Sequence, residues 1–557
     1  MTEVRALSVW QNIKNFFAAH TLAIIGGLLL LLFAVFFLGP GITVLIKSVF
    51  GPEGFTLQYY EAFAAAGYYY RSLMNTVILG SIVTPLCLSI AFCLAYVRVR
   101  GPTYLRAPAK VLALLPLITP GIIYGLSIII FFGRNGIITN ALNLGWDIYG
   151  FVGCIIAQSI AYIPLAFLII ESSMISLNPN LEESAANLGA TGGQILRHVT
   201  IPLLMPSFLK AALVVFAQTV TAFGNIALLS GRVPFLAPDT YKMITGAQYD
   251  MNMASVLATF LILLCMIVFF VQGRLTKGKS YTTIVGKPVA TEPKPLARSV
   301  SIPMLVVFFG ACSFILLTFG VVVIGSFTEL VGVNNEFTLS HILNADVMLS
   351  ISNSLKVAIV TGLLGALVGV LVAYVVVRGK FMGHASLEAI ALVAFAFPGT
   401  ALGIGYILTF KKPPLKLTGT FIILVLNCLI RTVTVGVVAA IAKLRQLSIE
   451  VEEASTNLGA STFTTFRRIV LPIIFPTFMY GFIYVFIRTM KTLSSVVFLA
   501  SPGNPMLSTY IFLRAYEGRL GLSCAATLKL MAIVGVCVAA LHYLSKWGEL
   551  GGRRRRL

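Results

Sequence analysis

The sequence predicts an all-α polytopic membrane protein of about twelve transmembrane helices, arranged as two parallel six-helix repeats. Three observations carry this. Of 557 residues, 58% are hydrophobic and 11% charged, against about 25% charged in soluble domains. The apolar residues gather into runs long enough to span a bilayer, and lipid forces such runs into helices because it offers their backbone groups no other partner. Two long stretches of the chain also repeat one another.

The spanning runs fall in two sets of six. The first set covers residues 22–46, 73–97, 111–132, 151–170, 208–229 and 256–271. The second covers 304–324, 355–377, 390–410, 421–441, 479–499 and 525–544. The chain therefore divides into halves at 1–273 and 301–557, joined by a linker over 274–300. That linker holds six basic residues (Arg274, Lys277, Lys279, Lys287, Lys294, Arg298) and one acid, Glu292, which places it in the cytoplasm by the positive-inside rule. The basic loop after the second run and the tail Gly-Gly-Arg-Arg-Arg-Arg-Leu agree; Lys411, Lys412 and Lys416 fall on the opposite face and are outvoted. Arg5 and Lys14 precede a first run too long for a signal-peptide core. It reads as a retained span with the N-terminus in the cytoplasm, and twelve spans return the C-terminus there.

Charge and cysteine usage exclude other classes. The net charge of +21 is accounted for by cytoplasmic loops, so no nucleic acid is expected. Eight cysteines, most inside apolar runs and none in a C-x-x-C pair, read as packing residues. The five histidines (His20, His198, His341, His384, His542) are scattered without metal-ligand spacing. No nucleophile–base arrangement is present, so the chain is not expected to be an enzyme. One literal motif needs weighing: Gly-Arg-Leu-Thr-Lys-Gly-Lys-Ser, residues 273–280, fits the P-loop pattern. A P-loop follows a strand and opens a helix, whereas this stretch follows a membrane span and opens a segment with three prolines. It reads as the start of the linker, and ATP is expected on another chain.

The repeat is sharpest in a loop. The 26 residues from Leu181 and the 26 from Val451 align without a gap, 270 positions apart. Upstream, Asn75 aligns with Asn353, Ala-Tyr-Val-Arg-Val-Arg-Gly from Ala95 with Ala-Tyr-Val-Val-Val-Arg-Gly from Ala373, and Pro120-Gly121 with Pro398-Gly399, each 278 apart. Homologous halves with an even number of spans enter the membrane in the same direction, which implies a pseudo-two-fold axis along the membrane normal. Both loops, at about 178–206 and 448–476, then face the cytoplasm and call for a two-fold symmetric partner. Each loop predicts a helix–turn–helix. Asn180 or Ser448 caps a short helix with acids in its first turn, Gly189 or Gly459 ends it, and Pro202 or Pro472 stops a second short helix before the next span.

These loops resemble the signature of binding-protein-dependent ABC importer permeases, E-A-A-x-x-x-G, nine residues, I-x-L-P. The first copy runs Glu183-Ser184-Ala185 to Gly189 and Val199-Thr200-Ile201-Pro202; the second runs Glu453-Ala454-Ser455 to Gly459 and Ile469-Val470-Leu471-Pro472. The fused layout, with Ala-Phe-Gly-Asn from Ala222 and the stretch from Thr492, is similar to the ferric-iron permease family; fused thiamine and aminoethylphosphonate permeases look similar. The resemblance implies a subunit of the bacterial inner membrane that binds no cofactor itself. It implies a homodimeric ATPase, carrying ATP and Mg, on its cytoplasmic side and an external solute-binding protein. The coupling residues it implies are Glu182, Glu183, Ala186, Gly189, Pro202, Glu452, Glu453, Thr456, Gly459 and Pro472, with Glu183 and Glu453 fixing each loop or meeting the ATPase.

Ionisable groups inside spans default to functional hypotheses. Arg431 falls in the tenth run, and Arg488 and Lys491 in the eleventh, where the first half has Ala161, Gln218 and Thr221. With Gln218 and Asn225 they are candidates for an asymmetric translocation path; packing of the arginine against carbonyls is the alternative. Permeases of this type often carry an acid before the Phe-Gly and Leu-Pro-Ala-Thr stretches. This chain has Ala222 and Thr492 there, although a bare Fe³⁺ would favour carboxylate ligands. The substrate expected is ferric iron, with a phosphonate, organophosphate or thiamine-like solute as the alternative. A six-plus-six secondary transporter is the rival class, disfavoured by the scarcity of acids in the spans.

Overall fold

The computed structural model describes residues 21–554 apart from 144, 248, 277–296 and 380–382. Most of the expected linker, with the Lys277–Ser280 end of the P-loop-like stretch, lies outside the described residues. The Gly273–Thr276 end is the last turn of the helix Met251–Thr276, not a strand-to-helix loop.

Eleven described helices are long and apolar enough to cross a membrane, or up to twelve if a bent pair is one span. That pair, His384–Ala396 and Gly399–Phe410, bends by 110°. The straight span expected over 390–410 is therefore broken, and the one over 111–132 is broken at the aligned place, between Thr103–Ile118 and Ile122–Phe132. Pro120 and Pro398 are the cause. The residue before proline is driven from the helical region, and Thr119 (ψ 152°) and Phe397 (ψ 135°) are extended. The fifth runs also start and end earlier than expected. Gly192–Val220 gives way at Thr221–Phe223 to a short helix Gly224–Leu229. Leu471–Lys491 likewise gives way to Val496–Leu499. Asn75 and Asn353 donate from Nδ2 to the carbonyls of Pro234 (3.0 Å) and Pro505 (3.4 Å) beyond these breaks. A small hairpin follows the first span and another the seventh, pairing Phe50 with Phe55 and Thr328 with Phe337.

The compact units are not the two sequence halves. One unit joins residues 1–43 and 533–557 to 349–506; the other joins 507–532 to 44–348. In the first of these, Leu29, Phe33 and Phe37 of the opening span are buried in the core of second-half residues around Tyr406, Phe410 and Ile423. A π-turn over Ala34–Leu38 frees a carbonyl there, and Phe36 O accepts from the Tyr406 hydroxyl at 2.7 Å. In the other unit, Phe308, Cys312 and Ile315 of the seventh span Arg298–Ser326 are buried among first-half residues. Division at the linker therefore separates each of these spans from the helices that cover it. The apolar face of a span decides its partner, and sequence order does not.

Candidate coupling loops and membrane-embedded cations

The first loop begins with the helix Pro179–Asn187. Its cap is Asn178, whose side chain accepts from Asn180 N–H at 3.0 Å, with Pro179 in the first turn. The expected capping residue Asn180 is thus the recipient of the cap, because proline sits at the first helical position and shifts the start by two. In the second loop, Glu450–Asn457, Ser448 Oγ accepts from Glu450 N–H at 3.3 Å.

Both helices end in the same hydrogen-bonded turn. Gly189 N–H donates to Ala186 O (2.9 Å) and Ala190 N–H to Ala185 O (3.0 Å). Gly459 N–H donates to Thr456 O (2.9 Å) and Ala460 N–H to Ser455 O (3.1 Å). This is a Schellman motif, which needs a left-handed residue after the helix. Gly189 and Gly459 have φ of +85° and +83°, so glycine is required there by conformation. One residue earlier, Leu188 and Leu458 are 90% and 89% exposed. They went unnoticed in the sequence, although each stands in a repeated Asn-Leu-Gly-Ala.

The second helix of each loop is not stopped by proline. A capping box between Thr191 and Gln194 starts Gly192–Ile195, and the helix then runs through a π-turn, Leu196–Thr200, into Ile201–Val220. Ile201 N–H bonds to Leu196 O, five residues back. Leu471 N–H bonds likewise to Phe466 O. The wide turn skips one acceptor and makes room for a ring that a regular α-turn would clash with. Pro202 and Pro472 thus mark a register shift within a continuous helix.

Each loop is pinned to its half by one acid. Arg100, at the end of the second span and only 2% exposed, makes a two-pronged ion pair with Glu182, its Nη2 lying 2.6 Å from Oε1. Thr200 Oγ1 donates to the same Oε1 at 2.6 Å. In the other half Arg378 Nε donates to Glu452 Oε1 at 2.8 Å. Residue 470 is valine where the first loop has Thr200, and the third bond comes instead from the Tyr374 hydroxyl to Oε2 at 3.0 Å. Arg378 Nη2 also donates to Leu447 O at 3.0 Å. So the acids that pair with the arginine ending the second span of each half are Glu182 and Glu452, one residue before Glu183 and Glu453. The signal was present: the two arginines share one place in the aligned stretches.

The path candidates scatter by half. Asn225 is buried with its Oδ1 accepting from Gly125 N–H at 3.1 Å. Gln218 is half-buried, its carbonyl accepting from the Tyr162 hydroxyl at 2.9 Å. Arg431, midway along Phe421–Arg445, directs Nη1 to Ser494 Oγ (3.2 Å) and Ser495 Oγ (3.1 Å); Arg488 and Lys491 lie in the last turn of Leu471–Lys491. Among the described residues no group of three His, Cys, Asp or Glu side chains could hold a metal.

Paired loops with a pinned acid and a glycine-ended helix, on a bundle of broken spans, define a transport permease. The profile of the binding-protein-dependent transport system inner membrane component matches residues 88–281. The chain is 31% identical over 520 residues to the ferric transport system permease protein FbpB of Actinobacillus pleuropneumoniae, covering 90% of this chain and 75% of that one. It is also 31% identical over 519 residues to a putative ferric transport system permease protein FbpB 1 of Haemophilus influenzae, covering 90% and 81%. A putative 2-aminoethylphosphonate transport system permease protein PhnV of Salmonella choleraesuis is 27% identical over 219 residues, covering 38% and 81%. The chain belongs to the family of binding-protein-dependent inner membrane transport permeases, in the two-half form of the FbpB proteins. Permeases of this class work with an ATPase and a binding protein.

Proposed function

We propose that this chain is the membrane subunit of an ATP-driven importer of ferric iron. The observation that carries the reading is the match to ferric transport permeases along nine-tenths of the chain. The two pinned loops supply the mechanical part. Each presents a rigid helix end with an exposed leucine, Leu188 or Leu458, to the groove of one ATPase subunit. Two equivalent loops suit a homodimeric ATPase, which carries the ATP and Mg; this chain holds neither. When the ATPase dimer closes, the loops move, and because Arg100 and Arg378 tie them to the second span of each half, the motion passes directly into the membrane helices. The basic loops support a cytoplasmic position for the signature loops and both termini, with an external binding protein delivering the cargo on the opposite face.

The test is uptake of radiolabelled ferric iron by iron-starved cells with and without the chain. Loss that returns on complementation supports iron; unchanged uptake, with no redundant importer present, rejects it. A phosphonate or organophosphate cargo is the second reading, favoured by Arg431, Arg488 and Lys491. Deleting the ATPase separates both from a secondary transporter, which would keep working.

A further inference from the structure

A cavity of about 320 Å³ lies where the second span, Gly67–Arg100, ends beside the start of the seventh, Arg298–Ser326. Tyr96 and Arg100 line it from the second span, Thr103 and Arg106 from the helix Thr103–Ile118, and Ser301 and Leu305 from the seventh span. The second span has 34 residues, about 51 Å of helix, against a hydrocarbon core of about 30 Å. Its last turn, like the first turn of the seventh span, therefore stands at the level of the lipid headgroups. Residues 95–110 carry four basic residues, Arg98, Arg100, Arg106 and Lys110, and no acid. A basic pocket between span ends at that level suits an anionic headgroup.

The polar groups around this cavity are not those that hold the loop. Arg100 gives both Nη groups to Glu182, and its Nε is buried without a hydrogen-bond partner. Unsatisfied buried polar groups are rare in proteins. The aligned residues of the second half are arranged differently. Arg378 donates from Nε to Glu452 and from Nη2 to Leu447 O, and the Tyr374 hydroxyl also goes to Glu452. In the first half Tyr96, the counterpart of Tyr374, is hydrogen-bonded instead to Ser301 Oγ at 3.0 Å. Arg106 donates from Nε to Gly101 O at 3.1 Å, which holds it beside the cavity. The other side is apolar. Leu305 lines the cavity, and Ile302, Val306 and Phe309 on the same span are exposed. A free anion would meet only the polar side, whereas an amphiphile meets both.

We propose that this cavity holds the headgroup of an anionic phospholipid, its phosphate against Arg100, Arg106 and Thr103 and its acyl chains along the exposed apolar face of the seventh span. The proposal is independent of the cargo. Because Arg100 also grips Glu182, the lipid sits at the joint between the second span and the first signature loop, and that loop takes on a dependence on the anionic content of its leaflet.

The test uses the full-length permease with its ATPase, taken from nanodiscs of mixed phosphatidylcholine and phosphatidylglycerol into mild detergent, with retained lipid read by native mass spectrometry. The expected result is selective retention of phosphatidylglycerol. Arg106→Gln should retain about fivefold less, the weight of one basic residue at an anionic surface, and Arg106→Lys should behave as wild type. Leu305→Trp, which fills the apolar side, should also lose the lipid, and an unchanged melting temperature in either losing variant guards against misfolding. Equal retention of the two lipids, or wild-type retention in both Arg106→Gln and Leu305→Trp, overturns the proposal. Displacement of phosphatidylglycerol by inorganic phosphate would make the occupant a free anion and overturns it as well.

Discussion

Arg378 and Glu452 meet at 2.8 Å across 74 residues of chain, joining the end of one membrane span to the first turn of the loop helix. Both side chains are nearly buried, at 12% and 10% exposure. Breaking a buried pair by removing one partner costs about 3–5 kcal/mol. Glu452→Gln is therefore expected to loosen the loop and cut ATP-driven uptake at least tenfold, with the chain still inserted. ATPase activity measured alongside transport checks it: hydrolysis should continue while uptake falls. Wild-type uptake in this variant would show that the pair does not transmit force.

Glycine is required at the loop turns by backbone geometry. At φ +83° a side chain on residue 459 costs about 1–2 kcal/mol. Gly459→Val is expected to abolish ATP-driven uptake and leave membrane insertion intact, because a β-branched residue is strained at positive φ, and Gly459→Asn, which tolerates the left-handed region, to retain most of it. Equal losses in the two variants would point away from conformation as the cause.

Leu458 makes almost no contacts within the chain, being 89% exposed. Truncating it should leave the melting temperature unchanged. Burying a leucine is worth about 1.5–3 kcal/mol, so Leu458→Ala is expected to weaken ATPase binding roughly tenfold or more, and Leu188→Ala similarly. Titration of purified permease with the ATPase subunit would reveal it; unchanged affinity for both variants would place the docking surface elsewhere.

Asp239 is fully buried, accepting hydrogen bonds from Ser72, from the Tyr68 hydroxyl at 3.0 Å and from Lys242 at 3.1 Å. Replacing it with leucine strands the fully buried Ser72 hydroxyl, at a cost of about 1–3 kcal/mol, while the exposed Tyr68 and Lys242 turn to water. Asp239→Leu should lower the melting temperature clearly, and Asp239→Asn less so. A variant as stable as wild type would mean that water satisfies the donors.

The repeat, the spans and the loop positions were legible in the sequence because each rests on a local pattern: apolar run length, aligned residues, a glycine after a short acidic helix. What was not legible depends on contacts between distant positions. Glu182 and Glu183 are chemically identical, and only the approach of Arg100 distinguishes them. Pro202 reads as a helix stop from its ring alone, yet the π-turn before it lets the helix continue. Pro120 and Pro398 lay within runs apolar enough to hide a break. Asn225 and Arg431 were grouped as path residues by polarity, whereas one is bonded to backbone and the other to two hydroxyls.

The burial of Leu29, Phe33 and Phe37 among residues near Tyr406 and Phe410 has a consequence for biogenesis. At about 5–20 residues per second, the ribosome needs tens of seconds to travel from the opening span to the helices that will cover it. During that interval the span waits in lipid with its eventual contact face unoccupied. A gene split at the linker would give two polypeptides that each lack a helix held by the other, so neither product would mature until both were present in the same bilayer.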